Sequence, residues 1–276
     1  MKPNISAEIK NNNLPAKIII ATHKKYWMPK SDIYMPVQAG SALHDDLGYH
    51  RDNAGDNISE KNPYYCELTC IYWAYKNFPE TISYVGFSHY RRHFTVKNFL
   101  SRLISSKKQS VLSEEQLKTL IAENDIILPK KRHYYIESNR SHYNHAHNAE
   151  DLKNTGKIIE THYPEYMENF EKVMNRRSAH MFNMFIMKRS IFKDYCDWLF
   201  DILCRLEKIT DLSDYDTSES RVYGYISELL LDVYIDFNNL PFKEIPFVFL
   251  DNQNWFLKIK NFLLRKISGG PFKTQK

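Results

Sequence analysis

The residue types best suited to chemistry stand together in the run GFSHYRRHF, residues 86–94. Arg91 and Arg92 are adjacent in this run and closely follow a predicted strand, SYVGF. Two guanidinium groups are costly to bury without partners, whereas the oxygens of a diphosphate accept hydrogen bonds from both. The pair therefore predicts a site for an anionic ligand. The residues alone leave open an alternative, in which each arginine forms an ion pair with a carboxylate of the protein.

Two carboxylates, Glu228 and Asp232, form a second candidate group in the run YISELLLDVYI. They lie one helical turn apart, so they share a face of an otherwise apolar predicted helix. Because burial of both without partners would be costly, at least one is expected to face a cleft. A partly buried carboxylate in a cleft is suited to act as a general base. The alternative is a carboxylate that pairs with Arg221 or faces solvent.

Three histidines form the pattern H-x-x-H-x-H at His142, His145 and His147. The spacing is compatible with metal ligation, but the sequence supplies no matching zinc scaffold or supporting residues. Contacts to a hydroxyl-rich ligand, or plain surface positions, are therefore favoured. Residues 214–216, DYD, have the form of a metal–nucleotide motif, but they lie in a predicted loop after a helix and not at the end of a strand. The sequence predicts no metal site.

Composition and missing motifs exclude several classes of protein. The 276 residues are 43% hydrophobic and 14% aromatic, which is typical of a folded chain with a sizeable core. The Rossmann, P-loop, HExxH and GxSxG motifs are absent, which argues against the corresponding enzyme classes. The four cysteines form no CxxC pair, so free thiols are expected. No apolar run is long enough for a membrane span or a signal peptide, and a cytoplasmic location is predicted.

The elements that must position these groups alternate along the chain. The predicted strands are residues 17–22, 83–87, 125–128, 181–187 and 244–250, and the predicted helices are residues 62–77, 113–124, 190–206 and 223–237. This alternation predicts an α/β fold with a mainly parallel central sheet flanked by helices. Residues 16–250 are expected to form one domain, preceded by a polar leader at residues 1–15 and followed by a tail at residues 251–276.

The tail carries the excess of positive charge. The formal net charge is +5, and residues 252–276 hold six lysines and arginines and no acidic residue. Apolar residues within 255–267 share one side of a predicted helix, as expected for a segment that lies on an anionic membrane surface. The alternative is a terminal helix docked on the core. The rest of the chain is close to neutral and has no nucleic-acid-binding motif, so nucleic acid is not an expected partner.

Several segments together resemble the bacterial polysaccharide galactofuranosyltransferase family of O-antigen, capsule and exopolysaccharide gene clusters, long described only as a domain of unknown function. In the family's order, the matching segments are KIIIATHKKYWMP, GDNISEKNPYYCELTCIYWAYKN, GFSHYRRHF, SHYNHAHNAEDL, MFNMFIMKRSIFKDYCDWLFDIL and RVYGYISELLLDVYI. They span residues 17 to 249, and GFSHYRRHF is highly specific. The resemblance implies a GT-A-like nucleotide-sugar-binding fold, a UDP-sugar donor, usually UDP-galactofuranose, and inversion at the anomeric carbon.

The resemblance assigns one group of residues to the donor. The uridine pocket would be lined by Thr22, His23, Lys24, Asn57 and Lys61. The place where other GT-A enzymes keep a metal-binding motif would be taken by His89, Tyr90, Arg91 and Arg92. The guanidinium groups would then stabilise the departing UDP electrostatically, as a metal does elsewhere, so no metal cofactor is expected.

The resemblance also assigns the base and the acceptor side. Glu228 takes the catalytic-base position of inverting GT-A enzymes and is preferred to Asp232, which is placed among the substrate-binding residues. The acceptor side would be shaped by Asn183, His142, Tyr143, His145 and His147. The expected acceptor is a lipid-linked oligosaccharide at the inner face of the cytoplasmic membrane, where the tail would hold the enzyme peripherally. The runner-up function is transfer of a pyranose, galactose or glucose, from its UDP-sugar by the same fold.

Overall fold

A mostly parallel sheet forms the centre of the computed structural model, which describes residues 14–98, 101 and 106–251. In chain order the strands are β1 Ala16–Thr22, β2 Tyr34–Gln38, β3 His50–Arg51, β4 Tyr84–His89, β5 Arg92–Phe94, β6 Ile126–Pro129, β7 Arg132–His133, β8 Ser178–Ala179, β9 Phe185–Lys188, β10 Lys243–Ile245 and β11 Phe247–Phe249. The helices are α1 Asn62–Tyr65, α2 Leu68–Asn77, α3 Glu114–Glu123, α4 Asn139–Ala146, α5 Ala149–His162, α6 Met167–Asn175, α7 Arg189–Ile209 and α8 Val222–Phe237.

The strands of the main sheet follow the order β10-β6-β9-β4-β1-β2-β3. Strand β9 runs antiparallel to both of its neighbours, and the other pairs along this path are parallel. Strand β5 adds an antiparallel extension between β4 and β11. The predicted α/β fold with a mainly parallel sheet is therefore confirmed.

Both faces of β1 are buried, which explains its continuous run of β-branched residues. Ile19 packs into the core on one face of the sheet, with helices α2, α7 and α8. Ile18 and Ile20 pack into the core on the other face, which includes Leu117 of α3. Since helices cover both faces, the ligand-accessible part of the sheet is its edge at the strand ends.

Two predicted strands differ from the observed ones for reasons of backbone geometry. The strand expected at residues 181–187 begins only at Phe185, because Phe182 and Asn183 adopt left-handed conformations with φ of 75° and 51°. The strand expected at residues 244–250 divides at Pro246, which has no N–H to donate to a ladder. Its first part, β10, pairs with β6, and its second part, β11, pairs with β5.

The predicted helices are mostly found, with changes at their ends. The capping box between Ser113 and Gln116 is present at the start of α3. The helix expected at residues 62–77 is broken at Cys66, where φ is 53°. Helix α7 begins at Arg189 without the side-chain cap expected from Ser190.

Three further features concern the whole chain. All four cysteines are free. Across the described ranges, no helix combines the length and the apolar character needed to cross a membrane. The amphipathic segment predicted at residues 255–267 and nearly all of the predicted leader lie outside the described residues, so their roles stay predictions.

Candidate active site

The carboxyl ends of β1 and β4 lie side by side, with Ala21 opposite His89 across the parallel pair. The chain leaves β1 after Thr22 and turns from β4 into β5 through residues 90 and 91, so both connections meet at one edge of the sheet. Their side chains touch there, because the rings of His23 and Tyr90 are 5.2 Å apart. Open α/β sheets bind ligands outside the carboxyl ends of their strands. This edge is therefore where a ligand site is expected.

The loop before β9 connects this edge to helix α8. The N–H of Phe182 donates to the carboxylate of Glu228. The carbonyl oxygen of the same residue accepts a hydrogen bond from Nε2 of His89 at 2.6 Å. A left-handed backbone is unfavourable for a bulky residue such as Phe182, and such strain is concentrated at functional sites. The loop thus links His89 and Glu228 through a single residue.

Glu228 is half-buried on α8, and its carboxyl group titrates near neutral pH. Burial, followed by the negative charge of Glu67, raises its pKa to about 7. The Phe182 N–H and the charges of Arg92 and Arg132 act in the opposite direction. A carboxyl group with such a pKa can take a proton from a hydroxyl group and release it again at neutral pH. Glu228 is therefore the candidate base of the site.

Asp232, one turn further along α8, has a structural position. It is 1% exposed, it accepts the backbone N–H of His180 at 3.1 Å, and it also contacts Nδ1 of that histidine. The other ring nitrogen of His180 lies 2.8 Å from Glu244. Burial alone would raise the pKa of Asp232, but the bonds from His180 lower it. His180 occupies the carboxylate of Asp232, and the expected contact of Asp232 with substrate stays a prediction.

Glu67 is a second carboxylate of the site, and the sequence did not indicate it. Nδ2 of Asn183 donates to Oε1 of Glu67 at 3.0 Å and to the carbonyl oxygen of Gly224 at 3.3 Å. Asn183, which was expected at the acceptor side, thus ties the start of α2 to the start of α8. No local pattern marks Glu67, because its hydrogen-bond partner is 116 residues away.

Replacement of Glu67 by glutamine is expected to move the acidic limb of the pH–activity profile to lower pH. Glu228 must be ionised to act as a base, and the charge of Glu67 raises its pKa. Without that charge the pKa of Glu228 falls, and the active, ionised form persists to lower pH. The measurement is kcat/KM against pH, with Glu207→Gln as a control because Glu207 pairs with Lys61. An unmoved limb would contradict this role of Glu67.

The two adjacent arginines have different partners. Arg91 Nη1 lies 3.3 Å from Oδ2 of Asp251, and the hydroxyl of Tyr26 donates to the other carboxylate oxygen, Oδ1. The Arg92 guanidinium lies 4.2 Å from the ring centre of Phe182 and forms no ion pair with any residue that the structure describes. The alternative left open by the sequence, an ion pair with a carboxylate of the protein, therefore holds for Arg91 and not for Arg92.

Positive charge also surrounds the end of β1. Lys24 Nζ lies 5.3 Å from the ring centre of Tyr90 and has no ion-pair partner within residues 14–98, 101 and 106–251. Oγ1 of Thr22 donates to the Lys24 carbonyl oxygen at 2.6 Å, which fixes the turn after the strand. Burial and then the charges of Lys24 and two arginines lower the pKa of His23. The potential at this edge favours an anion.

Asn57 and Lys61 lie at a different place, on a cavity of about 310 Å³. The side chain of Asn57 forms hydrogen bonds of 2.8 to 3.2 Å with backbone atoms of the loop in which Asn57 lies. Lys61 Nζ lies 2.7 Å from Oε2 of Glu207. The polar atoms of both side chains already have partners, and their expected help in binding uridine stays a prediction.

The histidines of the H-x-x-H-x-H pattern lie on and just after α4 and do not converge on one point. His142 and His145 both bind the carboxylate of Glu137, at 3.0 and 3.1 Å. His147 stacks on Tyr225 of α8, with ring centres 3.9 Å apart, and burial lowers its pKa to about 4. Within the part of the chain that is described, no group of three or more His, Cys, Asp or Glu side chains could hold a metal ion.

Four stacked rings form a wall beside Glu228, which we call the ring wall: Tyr134, His142, His147 and Tyr225. Tyr134 stacks on His142 at 4.0 Å, and Tyr143 lies 4.9 Å from His147. Burial raises the pKa of Tyr134 to about 12, and the nearby charge of Glu228 acts in the same direction. Flat rings with polar edges suit the faces of a sugar. The sequence indicated the histidines of this wall but not Tyr134.

Comparisons with known proteins bear on the family and the fold of the chain. A family model described as "Domain of unknown function (DUF4422)" matches residues 17–239. The solved apo structure of the bifunctional glycosyltransferase WbbM is similar, with a TM-score of 0.79 and 33% sequence identity. The match covers 86% of this chain and 45% of the WbbM chain, so this chain spans less than half of that protein's length. No curated protein matches the chain.

Proposed function

Because the chain belongs to the family described as a domain of unknown function (DUF4422) and shares its fold with a glycosyltransferase, we propose that it transfers a sugar from a nucleotide-sugar donor to a glycan acceptor. The likeness to WbbM extends over 86% of the chain. The proposed setting is the synthesis of a bacterial surface polysaccharide. The proposed donor is UDP-galactofuranose, and the proposed reaction inverts the anomeric carbon.

One observation carries the proposal. Glu228 and Arg92 lie close enough to act on each other electrostatically, and they combine a carboxylate of pKa about 7 with a guanidinium that has no ion-pair partner among the described residues. Transfer of a sugar from UDP needs a base for the incoming hydroxyl and positive charge for the departing diphosphate. We assign the first role to Glu228 and the second to Arg92, at the edge beyond β1 and β4.

The reaction that follows is a single displacement. The Glu228 carboxylate accepts the proton of an acceptor hydroxyl group, and that oxygen forms a bond to the anomeric carbon. The bond between this carbon and the diphosphate oxygen breaks, and its electron pair leaves with UDP. Arg92 and Lys24 stabilise the negative charge that builds on the diphosphate. His89 is held by Phe182 beside these groups.

The acceptor sugar is proposed to lie against the ring wall formed by Tyr134, His142, His147 and Tyr225. Stacked aromatic rings supply flat apolar faces, and imidazole edges supply hydrogen bonds to hydroxyl groups. Tyr225 and Glu228 are both on α8, which keeps the acceptor next to the base. The proposed acceptor is linked to a lipid, and the basic segment at residues 252–276 is proposed to bind the anionic membrane surface. Sedimentation with anionic liposomes tests this last point.

The proposed function is tested with a panel of UDP-sugars. UDP release and thermal stabilisation are measured for UDP-galactofuranose, UDP-galactose and UDP-glucose. We expect UDP-galactofuranose to be hydrolysed or transferred fastest, with activity unchanged in excess EDTA, because cationic side chains are proposed to take the place of a metal. Preference for a pyranose would support the runner-up function. Strict dependence on manganese would contradict the proposed electrostatic role of Arg92, and absence of any UDP binding would contradict the function itself.

A further inference from the structure

Arg221, at the start of α8, is a charged residue that the reaction above does not use, and it contacts Cys66. Cys66 interrupts the helical backbone between α1 and α2, with φ of 53° and ψ of −131°. Its sulfur accepts a hydrogen bond from Nε of Arg221 at 3.0 Å. A cysteine in this backbone region is strained, and such strain persists where the surrounding structure holds it in place.

Gly224 allows this contact to form. A β-carbon at position 224 would lie 3.2 Å from the Cys66 sulfur and 3.3 Å from its β-carbon. Both distances are tighter than ordinary van der Waals contact, so the close approach of α8 to Cys66 is easiest with a residue that has no side chain at position 224. The strained cysteine and the glycine together fix the position of the Arg221 side chain.

The fixed guanidinium keeps its outer nitrogens available. Nε is used by the Cys66 sulfur, and Nη1 and Nη2 have no ion-pair partner among the residues that the structure describes. Arg221 is exposed, and its guanidinium carbon lies 5.4 Å from the ring centre of Tyr225. Glu67 acts on it electrostatically without forming an ion pair.

Arg221 lies near the ring wall, because its guanidinium carbon is 5.4 Å from the ring centre of Tyr225, on which His147 stacks. Its charge acts on His23, at the end of β1, and on His147, in the ring wall. The first of these residues marks the proposed donor side and the second marks the proposed acceptor side. A ligand that joins a nucleotide to a sugar would have its diphosphate between them.

We infer that Arg221 is a diphosphate-binding residue, which meets the donor from the helix side of the cleft while Arg92 meets it from the sheet. Cys66 is a positioning residue that orients the guanidinium through Nε. The free Nη atoms form a fork that matches two phosphate oxygens. This inference rests on the proposed function, and it replaces Arg91, which is engaged by Asp251, as the second guanidinium of the donor site.

The test is binding of uridine, UMP and UDP to the full chain, measured by calorimetry. For Arg221→Ala, we expect the Kd of UDP to rise about 10- to 100-fold, while the Kd of uridine stays within about twofold of wild type. Arg221→Lys keeps the charge but loses the two-pronged guanidinium, so its Kd for UDP should lie between those of wild type and Arg221→Ala. The matched control is Arg205→Ala, since Arg205 pairs with Asp201 on the surface of α7.

The outcomes separate this inference from the function on which it rests. Unchanged UDP affinity in both Arg221 variants, with normal binding by wild type, would overturn the inference and leave the function standing. A wild-type protein that binds no UDP would overturn both. An equal loss for uridine and UDP would also overturn the inference, because it would show a general effect of the variant on the pocket.

A second pair of variants tests the positioning role of Cys66. Cys66→Ala removes the acceptor of the Arg221 Nε–H. We expect this variant to raise the Kd of UDP about 3- to 10-fold and to leave the Kd of uridine unchanged. Cys66→Ser keeps an acceptor and should recover part of the loss. Equal UDP affinity in wild type and Cys66→Ala would overturn the positioning role.

Discussion

Replacement of Glu228 by glutamine is expected to lower turnover by about 100- to 10,000-fold while UDP binds with nearly unchanged affinity. The amide keeps the size and the Phe182 contact of the side chain, but it cannot accept a proton from the acceptor hydroxyl. Because the lost interaction acts in the transition state, kcat should fall much more than the KM of the donor rises. The measurement is UDP release under saturating donor, together with UDP affinity.

Asp232→Asn provides the contrast for this variant. Asp232 is buried against His180, so its replacement should lower the melting temperature more than it lowers turnover per folded molecule. Wild-type turnover in Glu228→Gln would remove Glu228 as the base. A loss confined to Asp232→Asn would show that the wrong carboxylate of α8 has been assigned.

Replacement of Arg92 by alanine is expected to lower kcat by about 100- to 1,000-fold. It is also expected to weaken UDP binding. The guanidinium has no ion-pair partner within the described residues, and it lies within the electrostatic reach of Glu228. Its charge is therefore available to the diphosphate both when the donor binds and when the bond to the sugar breaks. UDP affinity and single-turnover rates measure the two effects separately.

Arg91→Ala is the matched control, since it removes the neighbouring arginine of the same strand-end run. The sequence assigned the same role to both arginines, but Arg91 must leave Asp251 before it can bind a ligand. We therefore expect a smaller loss for Arg91→Ala than for Arg92→Ala. The reverse order would show that the Asp251 ion pair does not hold Arg91 during the reaction. The melting temperatures of Arg92→Ala, Arg91→Ala and Arg92→Lys distinguish a loss of binding from a folding defect.

The parts of the fold that were predicted are those whose causes are local. The β-branched run of β1 is buried on both faces of the sheet, and burial on both faces is what such a run indicates. The capping box of Ser113 and Gln116 lies within four consecutive residues, so the start of α3 was readable. Alternation of strands and helices was sufficient for the parallel sheet.

The parts of the site that were not predicted depend on partners distant in sequence. The preference for Glu228 over Asp232 came from the family resemblance; the structural reason for the difference is His180, which binds Asp232 across 52 residues. The different roles of Arg91 and Arg92 are decided by Asp251, 160 residues beyond Arg91. A pattern of residue types along the chain cannot contain these choices, because they are made when the elements pack.

Backbone strain was also invisible in the sequence. The left-handed residues Phe182 and Asn183 lie inside an apolar run that is typical of a strand. Cys66 interrupts a run that is typical of one helix. In both places the strained residue makes a contact within the site, to Glu228 in one case and to Arg221 in the other. Local rules fail here because tertiary contacts hold the backbone away from its local preference.

A crystal structure of the protein with UDP bound tests the central claim most directly. We expect the diphosphate to lie at the edge beyond β1 and β4, within hydrogen-bond distance of the Arg92 guanidinium and on the side that faces Glu228. UDP bound elsewhere would contradict the account, for example in the cavity of about 340 Å³ between α2 and α7 that is lined by Tyr72 and Phe200.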